Sequence, residues 1–419
     1  MGNCITNQDD SQPQASSNGK EKKDDELIRF FVTGIRGVGK TTIINQLKCL
    51  CVDEPNSYKY YNVDNQEQWV RITPNEIFPP HEKSKMRNTI RVNILEAFNN
   101  MIEKAHELGR VLQDEELAEF VLSTWSDMKS SGAGIYQDVP AYIGDMLSRL
   151  RLDKAIDDLL QSRNEYLDMK IDDGTLHFIL DDANKKSFWR ERMAQIFSDD
   201  YEVTTRDIPY SRRVTENQKK NHFRTRSFKI EFNDMGGQRS ELIKLPDFLK
   251  RFLWGNGRTF VLYVASIADA FENDSSERQR SKLERSARVL DLILSLPTVS
   301  ECGIMIFFNK YDRYEEIVNY KYQSESGREE LADRIGANMK EGDLMKLRRG
   351  TLRIEQAREL IKQAIEGQFI DICKRRTRNE VYVHYTQAVV RELMKSIFNS
   401  VEENIYNSII ANASYIRVA

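Results

Sequence analysis

The 419-residue chain carries 62 lysines and arginines against 65 aspartates and glutamates, for a net charge of -3, and 40% of its residues are hydrophobic. That length allows two or three cores, and the absence of any long apolar run excludes a bilayer-spanning helix. Charge spread this evenly excludes a global basic field for nucleic acid, so partners have to be read from local features.

In chain order, "MGNCIT" places Gly after the initiator Met and Thr four residues later, a pattern for N-myristoylation at Gly2. One myristoyl chain binds membranes only marginally, with an association constant of roughly 10⁴ M⁻¹, so stable anchoring calls for a second signal such as an acyl group on Cys4. Residues 7 to 26 are polar and lack an apolar stripe, and residues 1–26 read as a flexible lipidated tether. The other cysteines, Cys49, Cys51, Cys302 and Cys373, form no zinc-like spacing and read as reduced packing residues.

"LIRFFVTG" followed by "TTIINQLKCL" predicts strand, turn and helix. From about 52 to 205 the apolar positions recur with helical spacing, as in "TIRVNILEAFNNMIEKAHEL", "ELAEFVLSTWSDM" and "AYIGDMLSRLRLDKAIDDLL", which predicts a helical domain. Strand signals return at "SFKIEFNDMGG", "RTFVLYVAS" and "GIMIFFNKYD". The layout is an α/β domain, residues 27–51 and 206–419, with an all-α domain, 52–205, inserted after its first helix.

Gly34, Ile35, Arg36, Gly37, Val38, Gly39, Lys40 and Thr41 satisfy G-x-x-x-x-G-K-[ST], with Thr42 next. Here backbone N–H groups and a helix N-terminus cradle phosphates, Lys40 neutralises the β and γ groups, and the Thr41 hydroxyl ligates Mg²⁺. The pattern alone leaves ATP and GTP open. Asn309, Lys310 and Asp312, in N-K-x-D at the end of an apolar strand, favour guanine, because a carboxylate there accepts both hydrogens of the guanine N1 and N2 edge. In "FNDMGGQRSE", Asp234 can hold Mg²⁺ through water, Gly237 can offer its N–H to a γ-phosphate, and Gln238 can orient a water for in-line attack.

These residues resemble the α subunits of heterotrimeric G proteins. "MGGQRSE" is similar to the family's second switch, "DIPYSRRVTENQKKNHF" to its first, and "FIDICKRRTRNEVYVHYTQA" to its last strand and guanine loop. The resemblance covers nearly all of residues 27 to 410. It implies a Ras-like P-loop GTPase domain, a sheet flanked by helices, with the helical insert. By position it makes Arg212 the built-in arginine finger and Thr215 a further Mg²⁺ ligand. Pro209, Tyr210 and Ser211 become nucleotide contacts. Ala388 becomes the backbone donor to the guanine carbonyl, with Thr386 bracing its loop. The implied partners are a Gβγ dimer and a seven-helix receptor, at the cytoplasmic face of the plasma membrane.

The sequence also departs from the family. Arg36 stands where the family places glycine, and its side chain projects toward the space that Gln238 and the attacking water need. It either obstructs the water and slows hydrolysis, or adds positive charge that replaces part of the lost order. The tether replaces the family's N-terminal helix, which weakens the expected Gβγ contact, and Asn217 replaces a glycine in switch one. "KYQSESGREELADRIGANMKEGDLMKLRRG" has no family counterpart, and its alternating charge predicts a solvated helical excursion. The expected activity is slow GTP hydrolysis with Mg²⁺. The alternative is a GTP-dependent binding module without turnover.

Overall fold

The computed structural model describes residues 27–64, 66–131, 139–169, 171, 173–180, 188–211, 219–225, 228–234, 258–274, 280–300, 302–377, 379 and 381–416. The expected lipidation sites Gly2 and Cys4, the tether, and Arg212, Thr215, Asn217, Gly237 and Gln238 lie outside the described residues.

Eight strands form one sheet: β1 (Leu27–Thr33), β2 (Lys59–Val63), β3 (Trp69–Arg71), β4 (Lys219–Arg224), β5 (Lys229–Asp234), β6 (Arg258–Ser266), β7 (Gly303–Asn309) and β8 (Val381–Tyr385). Their order is β3-β2-β4-β5-β1-β6-β7-β8. From β5 to β8 the pairing is parallel, and β3, β2, β4 and β5 pair antiparallel. The central strands are near-continuous apolar runs because they are covered on both faces. On one face Phe30, Val32, Phe232 and Leu262 join the core that includes Ile43 and Leu47; on the other, Phe31, Val261, Tyr263 and Ile306 pack with Leu290, Ile317 and Phe369.

The first of those cores is closed by helix α1 (Lys40–Asp53), which starts directly after the phosphate loop. The inserted segment then supplies α2 (Pro80–Glu107), α3 (Glu115–Ser130), α4 (Ala141–Leu150), α5 (Lys154–Gln161), α6 (Asp173–Ile179) and α7 (Phe188–Phe197). The expected single periodic run at 141–160 is two helices, because the Asp153 carboxylate accepts from the Ala155 N–H and starts a new one. After β6 come α8 (Lys282–Leu294), α9 (Tyr311–Tyr322), α10 (Glu325–Ile335), α11 (Glu341–Arg349), α12 (Ile354–Arg376) and α13 (Arg391–Ile416).

Two expectations need correction. The segment from 52 is not helical throughout: β2 and β3 form a hairpin that extends the sheet beyond β4, a short 3-10 turn follows at Pro74–Glu76, and α-helix resumes at Pro80. The physical reason is packing, since Tyr60 turns inward beside Phe223 with ring centroids 5.2 Å apart. The charged excursion is helical as α10 and α11, yet it is docked, not merely solvated. Leu331, Ala332, Ile335 and Leu347 are buried in the second core.

Candidate functional site

The turn after β1 is built by glycines with positive φ. Gly34 has φ 138°, and a Cβ there would lie 2.1 Å from the Val264 carbonyl oxygen, so only glycine lets the loop cross β6 this closely. Gly39 has φ 99°, and its Cβ would meet Asn309 Nδ2 at 2.2 Å. Ile35 and Val38 bury their side chains in the core, so they serve the loop through their backbone. Lys40 is 6% exposed and donates from Nζ to the carbonyls of Gly34 (2.8 Å) and Ile35 (2.9 Å), which fixes its ammonium across the loop. No described side chain caps the N-terminus of α1, and its first turn contains no acidic residue. Its leading N–H groups are therefore suited to an anion.

A cleft of about 600 Å³ opens at this loop. Arg36, Gly37, Gly39, Lys40, Thr41, Thr42 and Asp234 line it together with Asn309, Lys310, Asp312 and Ala388, and with Pro209, Tyr210 and Ser211. Arg36 and Gly37 are exposed, so the arginine that replaces a glycine stands at the cleft surface and is not folded into the core.

Thr41 Oγ1 donates to Asp234 Oδ2 at 2.9 Å, bringing together residues from α1 and β5. Two hard oxygens suit Mg²⁺, which keeps several waters and takes only one or two protein ligands. Among the described residues no group of three His, Cys, Asp or Glu could hold a metal by itself, so this pair fits an ion that also relies on phosphate oxygens.

Asn309 joins the phosphate loop to the loop after β8. Its Nδ2 donates to the Val38 carbonyl (2.8 Å), and its Oδ1 accepts from Thr386 Oγ1 (3.0 Å) and the Ala388 N–H (2.9 Å). The Ala388 N–H, expected to meet a guanine carbonyl, lines the cleft and is held here by Asn309. Thr386 N–H bonds to Phe308 O (2.8 Å), which continues the pairing of β8 with β7 into this loop. Lys310, with φ 60°, turns the chain sharply so that Asp312 faces the cleft. Desolvation by the cleft walls raises the Asp312 pKa above the ordinary aspartate value.

The remaining wall comes from the inserted segment, and spacing gave no hint of it. Asp173, on α6, pairs with Lys310 Nζ at 3.1 Å and with Arg313 Nε at 3.6 Å. Arg313 also bonds Asn164 and Glu316, while Tyr320 reaches Glu165 at 3.3 Å. His177 stacks on Tyr210 with ring centroids 3.6 Å apart and planes 6° from parallel, and its Nε2 lies 2.9 Å from Arg192 Nη2. A guanidinium only donates, so Nε2 accepts and the imidazole is neutral. Burial, reinforced by the Arg192 charge, lowers the His177 pKa to about 4.

With this geometry in view, comparison with known proteins is decisive. The profile of the G-protein alpha subunit family matches residues 6–405. The chain belongs to the G-protein alpha subunit family. It is 20% identical over 425 residues to the guanine nucleotide-binding protein alpha-3 subunit of Neurospora crassa, covering 99% of this chain and 100% of that protein. It is 22% identical over 336 residues to the guanine nucleotide-binding protein alpha-1 subunit of Caenorhabditis briggsae, covering 77% of this chain and 80% of that one. G-protein alpha subunits bind guanine nucleotides and transduce signals, and their fold is a Ras-like GTPase domain with a helical domain. The sheet, phosphate loop and inserted helices described above are this member's version of that fold.

Proposed function

We propose that this alpha subunit binds GTP with Mg²⁺ in the cleft and hydrolyses it slowly to GDP and phosphate. The observation that carries this reading is the convergence of Lys40 and Thr41, Asp234 and Asp312, from three segments far apart in sequence, on one cleft. Lys40 and the N-terminus of α1 neutralise the phosphates. Thr41 and Asp234 would hold Mg²⁺, whose chemistry is to offset charge on the phosphate oxygens. Asp312 accepts from the guanine edge, and the Lys310–Asp173 pair closes the helical wall beside it.

Turnover rests on Gln238, proposed to orient the attacking water, and on Arg212, proposed to stabilise the transferring phosphate, with Thr215 completing the ion's shell. Arg36, exposed at the phosphate end, crowds the water and slows the step. That same placement favours a second reading, a GTP-dependent binding module in which hydrolysis is lost. Phosphate release in a single turnover, from protein loaded with GTP, distinguishes them: release on the scale of minutes supports the enzyme, and retained GTP supports the module.

We further propose a peripheral location at the cytoplasmic face of the plasma membrane through lipids on Gly2 and Cys4. There it would couple a Gβγ dimer and a seven-helix receptor to nucleotide state. The family and the "MGNCIT" pattern support this reading.

A further inference from the structure

The β2–β3 hairpin is tied to the rest of the sheet through Tyr60, which packs beside Phe223 and donates to Asn221 (3.2 Å), while β3 ends the sheet among the described residues. Two bonds fix its pairing: Ile72 N–H donates to Tyr60 O (2.9 Å) and Asp64 N–H to Gln68 O (3.0 Å). In an antiparallel ladder bonded and non-bonded pairs alternate, so Asn62 and Val70 are bonded to each other while Trp69 and Arg71, opposite Val63 and Tyr61, turn their N–H and C=O outward. Among the described residues no strand lies on that side.

The face above this edge is basic and aromatic. Tyr61, Trp69 and His222 share it, with ring centroids 5.7 Å apart for Tyr61–Trp69 and 5.1 Å for Trp69–His222. By the two-residue alternation Lys59, Lys220 and Arg224 point the same way, Arg71 lies opposite Tyr61, and Lys229 Nζ sits 5.7 Å from the Trp69 ring. Lys59 and Lys229 have no carboxylate ion pair among the described residues, and Lys220 lies within electrostatic reach of Glu231. The one acid in the patch, Glu231, is taken by His222 (3.3 Å) and Asn233 (2.8 Å). Val70, on the reverse face, is 49% exposed.

We propose that this hairpin is a docking edge for an extended acidic segment of a partner protein, which adds a strand beside β3 and sets its carboxylates on the basic face. Main-chain groups turned outward discriminate among anions: a peptide can satisfy them in register, whereas a lipid headgroup or a nucleic-acid phosphate cannot. A second copy is disfavoured, because edge-to-edge pairing would bring one Arg71 and its basic neighbours against another set of like charge.

The test uses the full chain and a labelled peptide of alternating Glu and Val, with binding read by fluorescence anisotropy. The parent protein binds it, and the Lys59→Glu, Arg71→Glu double variant binds about tenfold more weakly while retaining guanine nucleotide as a check on folding. A peptide N-methylated at alternate backbone positions, which keeps its charge but cannot pair, loses binding to the unaltered protein. This second arm decides the matter even if the double variant misfolds. The proposal is overturned if the methylated peptide binds as well as its parent, or if a Lys-Val peptide binds equally. It is also overturned if the acidic peptide does not bind while phosphatidylserine vesicles or single-stranded DNA do, or if sedimentation shows a dimer that Arg71→Glu dissolves.

Discussion

Asn309, at the end of β7, donates its side-chain amide to the carbonyl of Val38 in the phosphate loop, joining residues 271 positions apart at 2.8 Å. The same side chain holds the loop after β8 through Thr386 and Ala388, so one residue ties that loop to the phosphate loop. Asn309→Ala leaves these buried groups without partners. GTP affinity should fall by about ten- to a hundredfold, as measured by titration of a fluorescent GTP analogue. An unchanged affinity would show that the two loops are positioned independently.

Replacing Asp312 with Asn should weaken GTP and shift preference toward xanthine nucleotides, because an amide matches the altered base edge. A pH dependence follows from the raised Asp312 pKa. Only the ionised carboxylate accepts two hydrogens, so affinity is present at high pH and is lost on acidification, beginning above the range of an ordinary aspartate. The difference in GTP affinity between parent and Asp312→Asn should therefore shrink as pH falls. A difference constant with pH rejects the guanine-edge role.

Arg36→Gly should release phosphate faster in a single turnover while binding GTP similarly. An increase of about tenfold or more is expected from restored near-attack geometry. Equal rates would reject the proposal that Arg36 obstructs the attacking water.

His177 predicts a window of acid sensitivity. Its folded pKa of about 4 lies below the ordinary value of 6.5, so the unfolded chain takes up the proton first as pH falls. Its stabilising contribution is complete above pH 6.5 and is lost as pH drops toward 4, by about 2 kcal/mol after allowance for solvent. His177→Phe keeps a ring against Tyr210 but cannot titrate. Thermal melts across this range should show a shallower loss for the variant, and parallel slopes would exclude the assignment.

Gly2→Ala removes the only acceptor for an N-terminal myristoyl group on that pattern. In cells the variant should move from membrane to soluble fractions, and an unaltered partition would discard the anchor.

The phosphate loop, Asp234 and the Asn309 loop were legible because their chemistry lies in contiguous residues flanked by strong strand and helix patterns. The helical wall was not. Asp173 and His177 sit on an ordinary short helix, and only tertiary packing brings them to Lys310 and Tyr210. The hairpin was misread for a different reason. "YKYYNV" and "WVR" carry the aromatic and β-branched residues that strands favour, but they sit between long helical periodicities that dominated the reading of 52–205.

The pairing of β1 has a consequence for biogenesis. This first strand hydrogen-bonds to β5 and β6, so its register is set only by segments that leave the ribosome long afterwards. Until then the apolar Phe30–Phe31 strip of the nascent chain lacks its sheet neighbours. Ligand capture then becomes a late checkpoint of translation, passed only once the guanine-end loop after β8 has been synthesised.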